Sequence, residues 1–148
     1  MRPQTCKIFA ILVLFAASAF ATNRHQLNGT WILVPTESDF GGEPAIQTGA
    51  VTINDREHNI TVTRSFSYDG VNQTVSYSFA TDGRENSTIR EGKNFKSKAK
   101  WDDDVLRVTT TENNVTTVER FTLAGDNTMR VVVERGDHRP RTLVFHRQ

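Results

Sequence analysis

Residues 60 to 79 read Ile-Thr-Val-Thr-Arg-Ser-Phe-Ser-Tyr-Asp-Gly-Val-Asn-Gln-Thr-Val-Ser-Tyr-Ser-Phe. Two runs of period-2 alternation flank Asp69-Gly70, a strong short-range hairpin signal. A two-residue turn there pairs Tyr68 with Val71. Counting back sets Phe66 opposite Gln73, Arg64 opposite Val75, Val62 opposite Tyr77 and Ile60 opposite Phe79. Nearly every large apolar side chain then falls on one face, while Thr61, Thr63, Ser65 and Ser67 take the other.

The same counting works outward along the chain. A turn at Asp103-Asp104 pairs Trp101 with Leu106 and Ala99 with Val108. A turn at Asn113-Asn114 sets Leu106 opposite Phe121 and Val108 opposite Glu119, and the next loop sets Leu123 against Met129 and Phe121 against Val131. Candidate strands lie at 28–34, 48–54, 58–68, 71–81, 84–90, 94–102, 105–112, 115–124, 127–134 and 141–147, with mostly hairpin connections. An all-β meander with one apolar face must cover that face, and closing on itself also removes exposed edges. The pattern predicts an antiparallel up-and-down barrel of 8–10 strands. A two-sheet sandwich would need longer crossovers than most of these connections. The one long connection, 35–47, contains Pro35, Gly41, Gly42 and Pro44 and is read as a flap at one mouth rather than a helix.

Composition fits one globular domain. The 148 residues are 36% hydrophobic and 24% charged with a formal net charge of +1, which excludes collagen, a supercharged tail and a multispan membrane protein. The first 21 residues read as a signal peptide: Arg2 and Lys7, an apolar run from Ile8 to Ala17, and the small-x-small site Ala19-Phe20-Ala21. The expected domain is therefore 22–148, secreted or periplasmic, with no transmembrane anchor once the leader is removed. Taking Arg2 and Lys7 from the 18 basic residues leaves 16 against 17 acidic ones, so no nucleic-acid partner is expected. The single cysteine, Cys6, lies in the leader, so the mature chain has no disulfide, thiolate site or cysteine nucleophile. Five Asn-x-Ser/Thr triplets begin at Asn28, Asn59, Asn72, Asn86 and Asn114. A monomer is expected.

The segment Asn28-Gly29-Thr30-Trp31-Ile32-Leu33 resembles the Gly-x-Trp first-strand signature of the calycin superfamily, the lipocalins and fatty-acid-binding proteins. The longer run GTWILVPTESDF at 29–40, with WDDDVLRV and VERFTLAGDNTMRV, is similar to small exported lipocalin-like bacterial proteins of unassigned function. The resemblance implies a barrel whose base is closed by Trp31, with Arg147 packed across its ring, and a small apolar or amphipathic ligand inside. The sequence departs from the family in having no Thr-Asp-Tyr segment at the later turn and no helical lid after the first strand.

On the apolar face stand three polar exceptions, Arg64, Gln73 and Glu119. An unpaired charge there would cost several kcal/mol, so each needs a partner, water or a ligand. In one reading Arg64, with Gln73 nearby, anchors a carboxylate-bearing apolar ligand walled by Phe66, Tyr77, Trp101 and Phe121. In the other, Arg64 and Glu119 pair with each other or sit at a solvated mouth. Lys96, Lys98 and Lys100 form an outward stripe, read as a solvated strand face. His25, His58, His138 and His146 are dispersed without zinc spacing, and no Gly-x-Ser-x-Gly elbow, phosphate loop or calcium loop is present. The expectation is a non-enzymatic binding protein without metal or cofactor. Its rival is a non-catalytic interaction or envelope-associated module whose barrel is filled by its own side chains.

Overall fold

A computed structural model describes residues 24–148 apart from residue 91. The predicted leader and its Cys6 lie outside the described residues. Ten antiparallel strands follow one another: β1 Gly29–Leu33, β2 Thr48–Arg56, β3 Asn59–Tyr68, β4 Val71–Ala80, β5 Asn86–Arg90, β6 Lys93–Asp102, β7 Val105–Glu112, β8 Val115–Leu123, β9 Thr128–Arg135 and β10 Arg141–Arg147. Each falls within a few residues of its expected position. Among the described residues, two short 3-10 turns, Arg24–Leu27 and Pro35–Glu37, accompany them.

The turns set the registers. Asp69 and Gly70, and Asn113 and Asn114, all have positive φ, the combination whose twist matches that of the flanking strands. Tyr68 faces Val71 and Ile60 faces Phe79, Trp101 faces Leu106, and Leu106 faces Phe121, as the turn counting predicts. The outer face of β3 and β4 is a ladder of hydroxyl pairs, Thr61 with Ser78, Thr63 with Ser76 and Ser65 with Thr74, at 2.9–3.0 Å. The inner face supplies the core, with Trp31, Val51, Ile53, Ile60, Val62, Leu106, Phe121, Met129 and Phe145 all buried. Each such side chain contributes roughly 1.5–3 kcal/mol of transfer free energy, so packing carries the fold.

All ten strands form one sheet in the order β4-β3-β2-β1-β10-β9-β8-β7-β6-β5, with β1 paired to β10. The chain is thus a meander curled into a barrel whose seam lies between β4 and β5. Here the structure departs from full closure. Across the seam the tie among the described residues is at the lower end, where the backbones of Asp82 and Lys100 form an isolated antiparallel β-bridge and the Gly83 amide donates to the Ala99 carbonyl at 3.0 Å. The five-residue β5 pairs only with residues 93–97 of β6, so the upper half of β4, from Val71 to Ser76, is exposed on both sides.

The base is a single unit built on Trp31. Its indole N–H donates to the Leu27 carbonyl at 2.8 Å, and the Arg147 guanidinium lies 4.2 Å from its ring centroid. The same guanidinium donates to the carbonyls of Asn28 (2.7 Å) and Gln26. Gly29 makes room for it: a Cβ there would come within 3.0 Å of Arg147 Nη1, at a φ of 129° that disfavours a side chain anyway. At the opposite end, residues 34–47 carry no helix beyond Pro35–Glu37. This flap leans on β10, with Asp39 and Thr142 exchanging both backbone hydrogen bonds at 2.8 Å, then returns to β3 through the Gln47 amide and the Ser67 carbonyl. Ile46 is buried beneath it.

Candidate functional site

Because strand direction alternates, the turns 103–104 and 124–127 lie at the Trp31 end, while 69–70, 113–114 and 136–140 surround the other, which we call the mouth. The lower half of the interior is filled with side chains. The upper half holds a cavity of about 290 Å³, with inward residues of β3, β4, β6, β7, β8, β9 and β10 around it and Ile46 of the flap at its edge. Its apolar wall includes Phe66, Val75, Tyr77, Phe79, Phe95, Val133 and Leu143. Phe66 stacks on Phe145, outside the void, at 6.4 Å between centroids, and Tyr77 stacks on Phe79 within the wall at 6.0 Å, so both rings are held by aromatic neighbours.

Arg64 and Glu119 meet across the barrel at this cavity. They come from β3 and β8, and Arg64 Nη2 donates to Glu119 Oε2 at 2.6 Å. Their side chains are 21% and 11% exposed. The guanidinium also lies 5.5 Å from the Tyr77 ring centroid and 5.9 Å from that of Phe121. Burial, the largest influence on Arg64, pulls its pKa down; the charge of Glu119 and the hydrogen bond to it, with Tyr77 and Tyr68, more than reverse this, leaving the pKa above the ordinary arginine value. Arg64 is therefore a permanent cation with a carboxylate already on it. Of the two sequence readings of Arg64, this geometry is the internal pair.

The expected site residues divide by height. Arg64, Phe66, Gln73, Tyr77 and Glu119 all line the cavity. Trp101 and Phe121 do not, and their assignment to the ligand wall is corrected. Trp101 pairs with Leu106 two residues from the base-end turn, and Phe121 lies beneath Arg64 at 1% exposure. Alternation had fixed their face but not their level. Gln73 sits opposite Phe66 at the rim and makes no hydrogen bond to Arg64 among the described residues.

Among the lining residues that sequence reasoning missed are Phe95, Glu112, Arg135 and Arg141. All lie near strand ends at the mouth, in phase with inward neighbours such as Val133 and Leu143; continuing the alternation to the turns would have found them. Glu112 is held by Lys93 Nζ at 3.2 Å. Elsewhere, Lys96 pairs with Glu85 at 3.4 Å and Lys100 with Asp102 at 2.8 Å on the outer surface. His138 and His146 contact the flap glutamates Glu43 (3.0 Å) and Glu37 (3.4 Å). Among the described residues, no three His, Cys, Asp or Glu side chains converge so as to hold a metal ion.

This ten-stranded meander, with its plugged base, its split between β4 and β5 and its open upper cavity, shares its fold with solved fatty-acid-binding proteins. Solved structures agree on the fold. A Schistosoma mansoni fatty acid binding protein in complex with arachidonic acid superposes with a TM-score of 0.65 at 21% identity, over 85% of this chain and 98% of that one. The REP1-NXSQ fatty acid transporter gives 0.64 at 18%, over 82% and 96%. Secretory abundant heat soluble protein 4 from Ramazzottius varieornatus gives 0.64 at 14%, over 83% and 95%. No protein-family model matches the sequence, and no curated protein matches it.

Proposed function

We propose that this protein binds one small apolar or amphipathic molecule in the upper half of its barrel. The observation that carries the reading is the 290 Å³ void, walled by aromatic and aliphatic side chains directly above a solidly packed lower half. Its volume lies at the lower edge of the roughly 300–1,000 Å³ typical of ligand pockets, which favours a single short chain or one small ring system over a bulky lipid. Likeness of fold to proteins named as a fatty acid transporter and a fatty acid binding protein supports the same class of ligand. Export is part of the proposal, supported by the basic, apolar and small-residue pattern of residues 1–21. No catalytic step belongs to it.

The test uses residues 22–148 purified from the source. Native mass spectrometry should find a co-purifying small molecule, and an environment-sensitive fluorescent fatty acid should bind once per chain and be displaced by short-chain lipids. Leu143→Trp, which fills the void from β10, should abolish that binding while the chain still melts cooperatively. A bare mass in every preparation together with no probe binding would overturn the reading and favour an interaction module. Arg64→Met combined with Glu119→Leu, which removes the floor pair without stranding either charge, should keep the probe bound, because the reading places the ligand in the void and not on Arg64.

A further inference from the structure

The charges lining the cavity do not balance where they stand. Three arginines and two glutamates face it: Arg64, Arg135, Arg141, Glu112 and Glu119. Both carboxylates are taken, Glu119 by Arg64 at 2.6 Å on the floor and Glu112 by Lys93 at 3.2 Å on the rim. Arg135 and Arg141 make no ion pair or side-chain hydrogen bond among the described residues. They occupy neighbouring strands at the mouth, Arg141 opposite Val133 and Arg135 two residues beyond it, a diagonal separation of about 7–8 Å that long side chains span. Both also line a second void of about 120 Å³ beside the first, with Glu43, His138 and Arg139 around it. The stem of Arg141 is crowded by the flap: a Cβ on Gly41 would come within 3.0 Å of its Cγ.

Resting on the binding function proposed above, we infer that the ligand is an amphipathic anion held tail inward, with its carboxylate or phosphate monoester between Arg135 and Arg141 at the mouth. The floor cannot take that group cheaply. An anion reaching Arg64 would have to displace Glu119 and strand a second negative charge in the barrel, whereas two uncompensated guanidiniums at the mouth offer bidentate hydrogen bonds in a partly solvated setting. The tail then meets Phe66, Tyr77 and Phe79.

The experiment measures displacement of a neutral fluorescent probe by decanoate, decyl phosphate and decanol, for the wild-type chain and for Arg135→Gln with Arg141→Gln. The wild type should prefer one or both anions over decanol by about tenfold or more, and raised salt should reduce that preference. The double variant should lose the preference and keep its decanol affinity. Arg141→Lys should retain part of it, as a point charge in the same place would, and the Arg64→Met, Glu119→Leu pair should retain all of it. Which of decanoate and decyl phosphate binds tighter identifies the headgroup. A preference that survives in the double variant, or that vanishes on changing Arg64 and Glu119, overturns the mouth anchor while leaving the cavity reading intact. Absence of binding by all three compounds overturns both.

Discussion

Glu119 holds a guanidinium that burial would otherwise destabilise, and the two ends of the pair are not equivalent to remove. Glu119→Gln leaves Arg64 wedged between Tyr77 and Phe121 with its charge uncompensated. The expected loss is about 3 kcal/mol, the low end for one-sided removal of such a pair because Arg64 keeps a fifth of its side chain exposed. Arg64→Met combined with Glu119→Leu should fall within about 1 kcal/mol of wild type, and urea midpoints at constant slope measure both. Gly49 is a second residue whose chemistry is subtraction. A Cβ there would stand 2.6 Å from Phe66 Cδ1 and 2.9 Å from its Cε1, so Gly49→Ala should turn the Phe66 ring towards the cavity. About 1–3 kcal/mol of stability and a measurable part of the probe affinity should go with it, read by thermal melting and titration. At this scale the sequence showed that Arg64 and Glu119 were anomalies on an inward face. It did not show that they meet, because hairpin registers relate neighbouring strands, and β3 and β8 face each other through the barrel.

Elements were legible in proportion to how local their causes are. The hairpins at 69–70 and 113–114 could be read because a two-residue turn of positive φ fixes both register and face. Level within the barrel follows from the same meander, since Trp101 precedes a turn at the Trp31 end, yet alternation alone conceals it. The flap 34–47 was legible only as a non-helical connection. Its path depends on contacts distant in sequence: the Asp39 and Thr142 amides and carbonyls, the Ser38 hydroxyl accepting from the Val144 amide at 3.0 Å, and Ile46 buried under it. Its tightest point is Gly41, with φ of 63° and a hypothetical Cβ 2.7 Å from the Arg139 carbonyl oxygen and 2.9 Å from that of Pro140. Backbone cannot yield as a side chain can. Gly41→Ala should therefore cost more than the roughly 1–2 kcal/mol of the left-handed conformation alone, and should speed hydrogen exchange at the Thr142 amide. Gly42→Ala, with φ of 87° but open space around it, should show only the conformational cost. Equal effects from the two would mean that the flap is not seated on the β9–β10 loop.

At the scale of the whole molecule the decisive feature is the seam. Every neighbouring pair from β4 round to β5 is hydrogen-bonded, including the first strand with the last, but β4 and β5 are not bonded to each other, so the barrel opens in mid-chain between two consecutive strands. Sequence could establish the meander and not the seam, because closure depends on whether a strand as short as β5 reaches its neighbour. The two most exposed large apolar side chains among the described residues flank the gap: Val71 is 60% exposed and Ile89 is 73% exposed. The seam is also fastened unevenly. Its lower end carries the Asp82–Lys100 bridge, and the Asp82 carboxylate is held below its ordinary range, chiefly by the Arg84 amide donating to it at 2.9 Å, with the Arg84 charge adding to the effect. A depressed pKa means that the carboxylate form supports this turn at all pH values above the unfolded value, and that the support is lost as pH falls through the lower, folded one. Hydrogen exchange at neutral pH should accordingly rank the amides by distance from the seam, slow in β1, β9 and β10 and fast in β5 and along the free edge of β4 at its upper end. Acidification below the ordinary carboxylate range should then bring the amides of residues 81–85 up to the rate of the upper seam before the base around Trp31 loses protection. Uniform protection of β4 and β5 with the rest of the sheet would show instead that the barrel closes in solution, and would leave the mouth as the route by which a ligand reaches the cavity.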